Sequence, residues 1–210
     1  MKSTKSKLKK PISVINLLDQ KYRLLNWDGE WFEAFAKPEL SGTWIVWGKS
    51  GNGKTTFIMQ LIKELAKNGK VLFDSLEEGQ AQTIRNAYQR VAMVDVKKNV
   101  LLVSDGYNDL IERLHRRNSP NIVVIDSFQH LQIDYKQYIV LKETFPKKIF
   151  IFVSHSDGNL PAGRPAKSVM FDASLKIYVE GYRAFSKGRY IGEKGYMNIW
   201  NQGAINYWGN

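Results

Sequence analysis

Apolar and polar positions follow two periods along this chain. Five short, nearly continuous apolar runs stand out: TWIVW (43–47), KVLFDSL (70–76), NVLLVS (99–104), NIVVID (121–126) and KIFIFVSHS (148–156). Their length and their β-branched and aromatic content predict buried strands. Between them apolar residues recur every three or four positions. Phe57, Ile58, Leu61, Ile62 and Leu65 line one helical face that ends at Asn68-Gly69, and AQTIRNAYQRVAMV (81–94), NDLIERLHRR (108–117) and YIVLKETF (138–145) repeat that spacing. Strands alternating with helices predict an α/β fold whose mostly parallel sheet is covered on both faces. After Ser168 the period shortens. SLKIYVEG (174–181), RAFSKGRY (183–190), GYMNIW (195–200) and AINYW (204–208) predict antiparallel hairpins added at one edge of that sheet.

The chain divides into three parts on this reading. Residues 1–11 are a disordered basic tail, and residues 12–41 are an N-terminal segment that packs on the core or on a neighbouring subunit. That segment carries the aromatic group Trp27, Trp31, Phe32 and Phe35; residues 42–210 form the core domain. No apolar run approaches the roughly 18 residues that span a bilayer, and no apolar stretch follows the basic N-terminus as in a secretory signal. A cytoplasmic protein without membrane contact is expected. The absence of cysteine excludes disulfides, thiolate zinc sites and a cysteine nucleophile. Of the net charge of +11, five charges belong to Lys2, Lys5, Lys7, Lys9 and Lys10, which leaves a moderately basic body. Such a balance suits a polyanionic partner, though it equally describes a solubilising tail on an ordinary surface.

The first strand runs into GKSGNGKT (48–55), which fits G-x-x-x-x-G-K-[ST] at every fixed position. Glycines allow successive N–H groups to turn inward around phosphate oxygens, and the following helix adds the positive end of its dipole. Gly48, Lys49, Ser50, Gly51, Asn52, Gly53, Lys54, Thr55 and Thr56 are thus the candidate nucleotide-binding residues. Lys54 supplies a point charge for the β- and γ-phosphates, and the Thr55 hydroxyl is a ligand for Mg²⁺. ATP and Mg²⁺ are the expected cofactors.

NIVVIDS delivers Asp126 to the end of a buried strand, where it can hold Mg²⁺ as a Walker B aspartate does. Residue 127 is serine, where many ATPases of this kind carry a catalytic glutamate. The group that deprotonates the attacking water must come from elsewhere. VLFDSLEEG ends in Glu77 and Glu78 at the same sheet edge, and either can face the γ-phosphate or simply begin the next helix. His115 and His130 stand without other ligand types at metal spacing and read as structural or surface residues. Arg113, Arg116 and Arg117, with Lys97 and Lys98, read as a solvated basic face.

These motifs resemble the RecA-type ATPase core, a three-layer P-loop fold. S-L-E at 75–77 is similar to the corresponding segment of DnaB-type replicative helicases. S-x-E-E followed by Gln82, Ile84 and Arg85 resembles the RadA/Sms recombination ATPases, as does VSHSDGNLPAGRPAKSVMFDASLKIYVEG (153–181). The resemblance implies that Glu77 is the catalytic glutamate, with Glu78 as fallback, and that Ser154 and His155 stand at a γ-phosphate sensor position. It implies that Lys187 and Arg189, in SKGRY, are a K-x-R finger inserted into the neighbouring subunit's site. Residues 156–167 match a flexible DNA-binding loop, here holding Arg164 and Lys167.

The resemblance implies an oligomeric ATPase, with active sites between subunits, acting on single-stranded DNA. The alternative is a KaiC-like, nucleotide-gated assembly without movement on DNA. A small-molecule P-loop kinase ranks third, since the C-terminal segment lacks a helical lid with clustered arginines.

Overall fold

The computed structural model describes residues 10–209, so most of the expected disordered tail lies outside the described residues. Its helices are α1 (Val14–Leu18), α2 (Gly29–Phe35), α3 (Lys54–Leu65), α4 (Gln82–Arg90), α5 (Tyr107–His115), α6 (Phe128–Leu131), α7 (Tyr135–Thr144), α8 (Arg164–Asp172) and α9 (Asn201–Trp208). The strands are β1 (Gly42–Gly48), β2 (Val71–Ser75), β3 (Val100–Val103), β4 (Ile122–Asp126), β5 (Ile149–Ser154), β6 (Ser156–Asp157), β7 (Leu160–Pro161), β8 (Leu175–Glu180), β9 (Arg183–Ser186) and β10 (Tyr196–Asn198). Eight of them form one sheet in the order β10-β9-β8-β1-β5-β4-β2-β3. The six strands from β8 to β3 are parallel; β9 and β10 are antiparallel.

Successive side chains of a strand point to opposite faces, and β1 shows what each face meets. Trp44 and Val46 join a core with Phe57, Ile58 and Leu61 of α3 and Ile84 and Ala87 of α4. Ile45 and Trp47 join a second core with Leu110 of α5, Phe128 of α6, Tyr138 of α7 and Val169 of α8. Because both faces are covered, β1, β2 and β5 have no polar alternation, as the sequence pattern predicts. The second layer is tied by a polar network. Tyr138 donates to Asp172 and lies 3.0 Å from Thr43 Oγ1, and Lys142 Nζ sits 2.6 Å from Asp172. Burial opposes it, but the hydrogen bonds from Lys142 and Tyr138 hold the Asp172 carboxyl below the ordinary range.

The N-terminal aromatic group divides from the segment before it. Trp27 and Phe35 are buried against Trp44 and Phe57, with ring centroids 5.7 to 6.1 Å apart. By contrast no residue of α1 is buried, and Val14, Ile15 and Leu18 are widely exposed.

The C-terminal part differs from the expected hairpins in three respects. SLKIYVEG forms β8, which runs parallel to β1 and antiparallel only to β9. AINYW is the end of helix α9, not a strand. Residues 164–167, expected as the end of the 156–167 loop, instead begin α8, with a proline in its first turn where the missing N–H costs nothing. Among the described residues no helix is long and apolar enough to cross a membrane.

Candidate nucleotide-binding site

Parallel strands in register bring their C-terminal ends to one edge. Trp47 pairs with Ser154, Asp126 with Val153, and Ser75 with Asp126. The loops leaving β1, β2, β4 and β5 therefore meet above the sheet, where open α/β folds hold their ligands. Beyond the end of β2, Leu76 N and Glu77 N both donate to the Asp126 carbonyl, at 2.7 and 3.1 Å.

The phosphate loop leaves β1 with Gly51 and Gly53 at φ of +78° and +93°, a region that only glycine enters without strain. Gly48 has another reason to be glycine. A Cβ there would stand 2.2 Å from the Val179 carbonyl oxygen of the adjacent strand. Asn52 faces away from the cleft. Its Oδ1 accepts from Gly181 N at 2.8 Å, and its carbonyl accepts from Tyr182 N at 3.2 Å, which fastens the loop to the β8–β9 turn.

A cleft of about 450 Å³ opens above this edge. Lys49, Ser50, Gly51, Gly53, Lys54, Thr55 and Thr56 line one side; Glu77, Glu78, Asp126 and His155 line the other. Burial pushes the Asp126 carboxyl up to about 6, opposed by Lys54 and His130 and reinforced by the charges of Glu77 and Glu78. Thr55 and Asp126 fit a divalent cation by the chemistry of their donors, since they offer a hydroxyl and a carboxylate to the same cleft.

His155 Nε2 lies 3.5 Å from Glu77 Oε2. Its neighbour Ser154, which shares the expected sensor position, is buried and turned aside. It accepts from Gln129 Nε2 at 2.8 Å and donates to the His155 carbonyl. Lys187 and Arg189 lie outside the cleft. They follow the end of β9, exposed, with their N–H groups bonded to Lys176 O and Ser174 O of the β8 region. Arg164 and Lys167 also lie away from the cleft. They stand on α8, where Lys167 Nζ reaches Asp157 of the β6–β7 hairpin at 3.3 Å.

Three residues at the site carry no sequence motif. Arg90, at the end of α4, and Tyr182, on the β8–β9 turn, both line the cleft. His130, expected as structural or surface, stands with its Nδ1 4.0 Å from Glu77 Oε2 and 2.8 Å from Ser127 Oγ. The signal for it was its position: three residues after Ser127 is one helical turn, and α6 brings it back over the strand end.

Similar architecture occurs in a KaiC-like protein from the hyperthermophilic archaeon Pyrococcus horikoshii, with a TM-score of 0.56 and 19% identity over 77% of this chain and 90% of that one. The flagellar accessory protein FlaH of Methanocaldococcus jannaschii aligns with a TM-score of 0.51 and 15% identity, over 75% of this chain and 82% of that one. The fold is RecA-like. No protein-family model and no curated protein matches the chain, and at these identities the likeness is one of architecture.

Proposed function

We propose that this RecA-like chain binds ATP with Mg²⁺ and hydrolyses it as an oligomer. The observation that carries the proposal is the convergence of the phosphate loop, Asp126 and the Glu77-Glu78 pair on one cleft. Backbone N–H groups of the loop and Lys54 hold the phosphates; Thr55 and Asp126 hold the cation. Bound there, Mg²⁺ supplies positive charge against the phosphate oxygens. Glu77 takes the proton of the attacking water, and His155 beside it senses the γ-phosphate. Glu78 is the second candidate for the base. Lys187 and Arg189, exposed and outside their own cleft, complete a neighbouring subunit's site, where charge developing on the γ-phosphate is stabilised in trans.

Single-stranded DNA is the proposed partner. The net charge of +11 and the exposed Arg164 beside the β6–β7 hairpin support it. A nucleotide-gated assembly without action on DNA is the second reading, favoured by the architectural likeness to a KaiC-like protein.

The ATPase rate, measured across protein concentration with and without single-stranded DNA, separates them. The DNA reading expects stimulation that weakens with salt. Rates that rise with protein concentration but ignore DNA support the assembly reading. Loss of hydrolysis in Glu78→Gln with Glu77→Gln unaffected overturns the choice of base, and hydrolysis that survives Lys54→Ala overturns the site.

A further inference from the structure

Glu77 does not stand alone at the cleft. His155 Nε2 is 3.5 Å from its Oε2 and His130 Nδ1 is 4.0 Å from the same oxygen, and one ligand atom from each of the three residues lies within 4.8 Å of the others. The two imidazole rings meet edge-on at 65°, with centroids 6.3 Å apart, and each presents a nitrogen to the carboxylate. Ligands at about 2.0–2.2 Å from a tetrahedral centre are separated by about 3.3–3.6 Å. Two of the separations in the cleft, 3.5 and 4.0 Å, approach that edge length, and the third ligand pair, within 4.8 Å, reaches it by side-chain rotation.

We infer that Glu77, His130 and His155 form a binding site for a zinc-class transition-metal ion, separate from the Thr55–Asp126 pair. Two imidazoles and one carboxylate suit zinc and its neighbours, whereas Mg²⁺ prefers oxygen ligands throughout. Each element contributes one ligand: the β2 end, the first turn of α6 and the β5 end. Gln129 Oε1 supports the His155 backbone by accepting from His155 N at 3.3 Å, whereas the Ser127 Oγ contact to His130 Nδ1 at 2.8 Å is one that the metal displaces. A metal on Glu77 Oε2 withdraws electron density from the carboxylate and lowers its basicity toward water, so the occupied site inhibits hydrolysis. The inhibition rests on the role proposed for Glu77; the metal binding does not.

The test uses the full chain, stripped with chelator and free of nucleotide. Titration with Zn²⁺ should saturate at one ion per chain in the presence of excess Mg²⁺. Co²⁺ in its place should give the intense visible absorption of a four-coordinate ion. His130→Ala and His155→Ala should each weaken Zn²⁺ by more than about 100-fold, since even outer-shell partners are worth about 10–100-fold. His115→Ala, away from the cleft, should change nothing. Absence of four-coordinate Co²⁺ absorption in the unaltered chain overturns the site, whatever the variants do to folding. So does stoichiometric Zn²⁺ binding that survives both histidine substitutions. A site that binds Zn²⁺ without slowing ATP hydrolysis upholds the metal centre and counts against Glu77 as the base.

Discussion

Asp74 is fully buried near the end of β2. One of its oxygens accepts from Asp105 N at 2.8 Å, and the other has no hydrogen-bond partner. Burial pushes the carboxyl up to about 7 from its ordinary 3.8, with the backbone bond and Arg113 pulling down and Asp105 pushing up. A group that holds its proton more tightly when folded stabilises the fold fully below its unfolded pKa. That contribution fades as pH rises through the folded value. Stability should therefore decline between about pH 4 and 7, and Asp126, pushed up to about 6, declines in the same window. Asp74→Asn should remove Asp74's part. Relative to the unaltered chain, the variant gains up to about 4 kcal/mol between low and high pH, read by urea unfolding at both ends. A parallel pH dependence in both chains excludes this account. Of the two acids only Asp126 was legible in the sequence, because it ends an apolar run beside a turn. Asp74 sits inside one, KVLFDSL; the run predicts a buried strand but not that one oxygen of its carboxyl is left without a partner there.

The phosphate loop is held from the side by elements far away in sequence. Gly181 and Tyr182 bond Asn52, and α9 closes over that turn. Trp208 Nε1 donates to Gly181 O, and a Cβ at Gly181 would stand 2.3 Å from Tyr207. Asn52→Ala should cost about 1 kcal/mol in thermal unfolding. It should weaken nucleotide binding several-fold while leaving Mg²⁺ dependence intact. Unchanged affinity would mean that the loop holds its shape unaided. The motif at 48–55 was readable because each position has a local reason. α9 was not, since five residues of alternation in AINYW fit either period, and packing against the β8–β9 turn decides the outcome. The direction of β8 was hidden for a similar reason. Alternation predicts a strand but not its partner, and α8 returns the chain so that β8 lies parallel to β1. Pro165, in the first turn of α8, is the local start signal for that helix.

Across the whole molecule the cleft has acids and a phosphate loop but only Arg90 as an arginine among its lining residues. The proposed second half, Lys187 and Arg189, lies elsewhere on the surface. Subunits that share sites in this way complement one another. A mixture of Lys54→Ala chains and chains carrying Lys187→Ala with Arg189→Ala should hydrolyse ATP faster than either alone, because each intact loop meets an intact finger. Rates equal to the average of the two separate proteins remove the shared site. The alternating strands and helices revealed the layers of this architecture. The partner surface was not visible in them, since a lysine facing solvent and one facing a neighbour have the same sequence. The β8–β9 turn has one more consequence, an optical one. Trp200 meets Tyr182 edge-on at 5.1 Å, and the Trp208 indole is anchored to Gly181, while Trp27 and Trp44 are sealed in the core. The protein thus carries its own fluorescent gauge at the rim of the cleft, so that filling can be followed by emission without a label, with Trp200→Phe identifying the reporter.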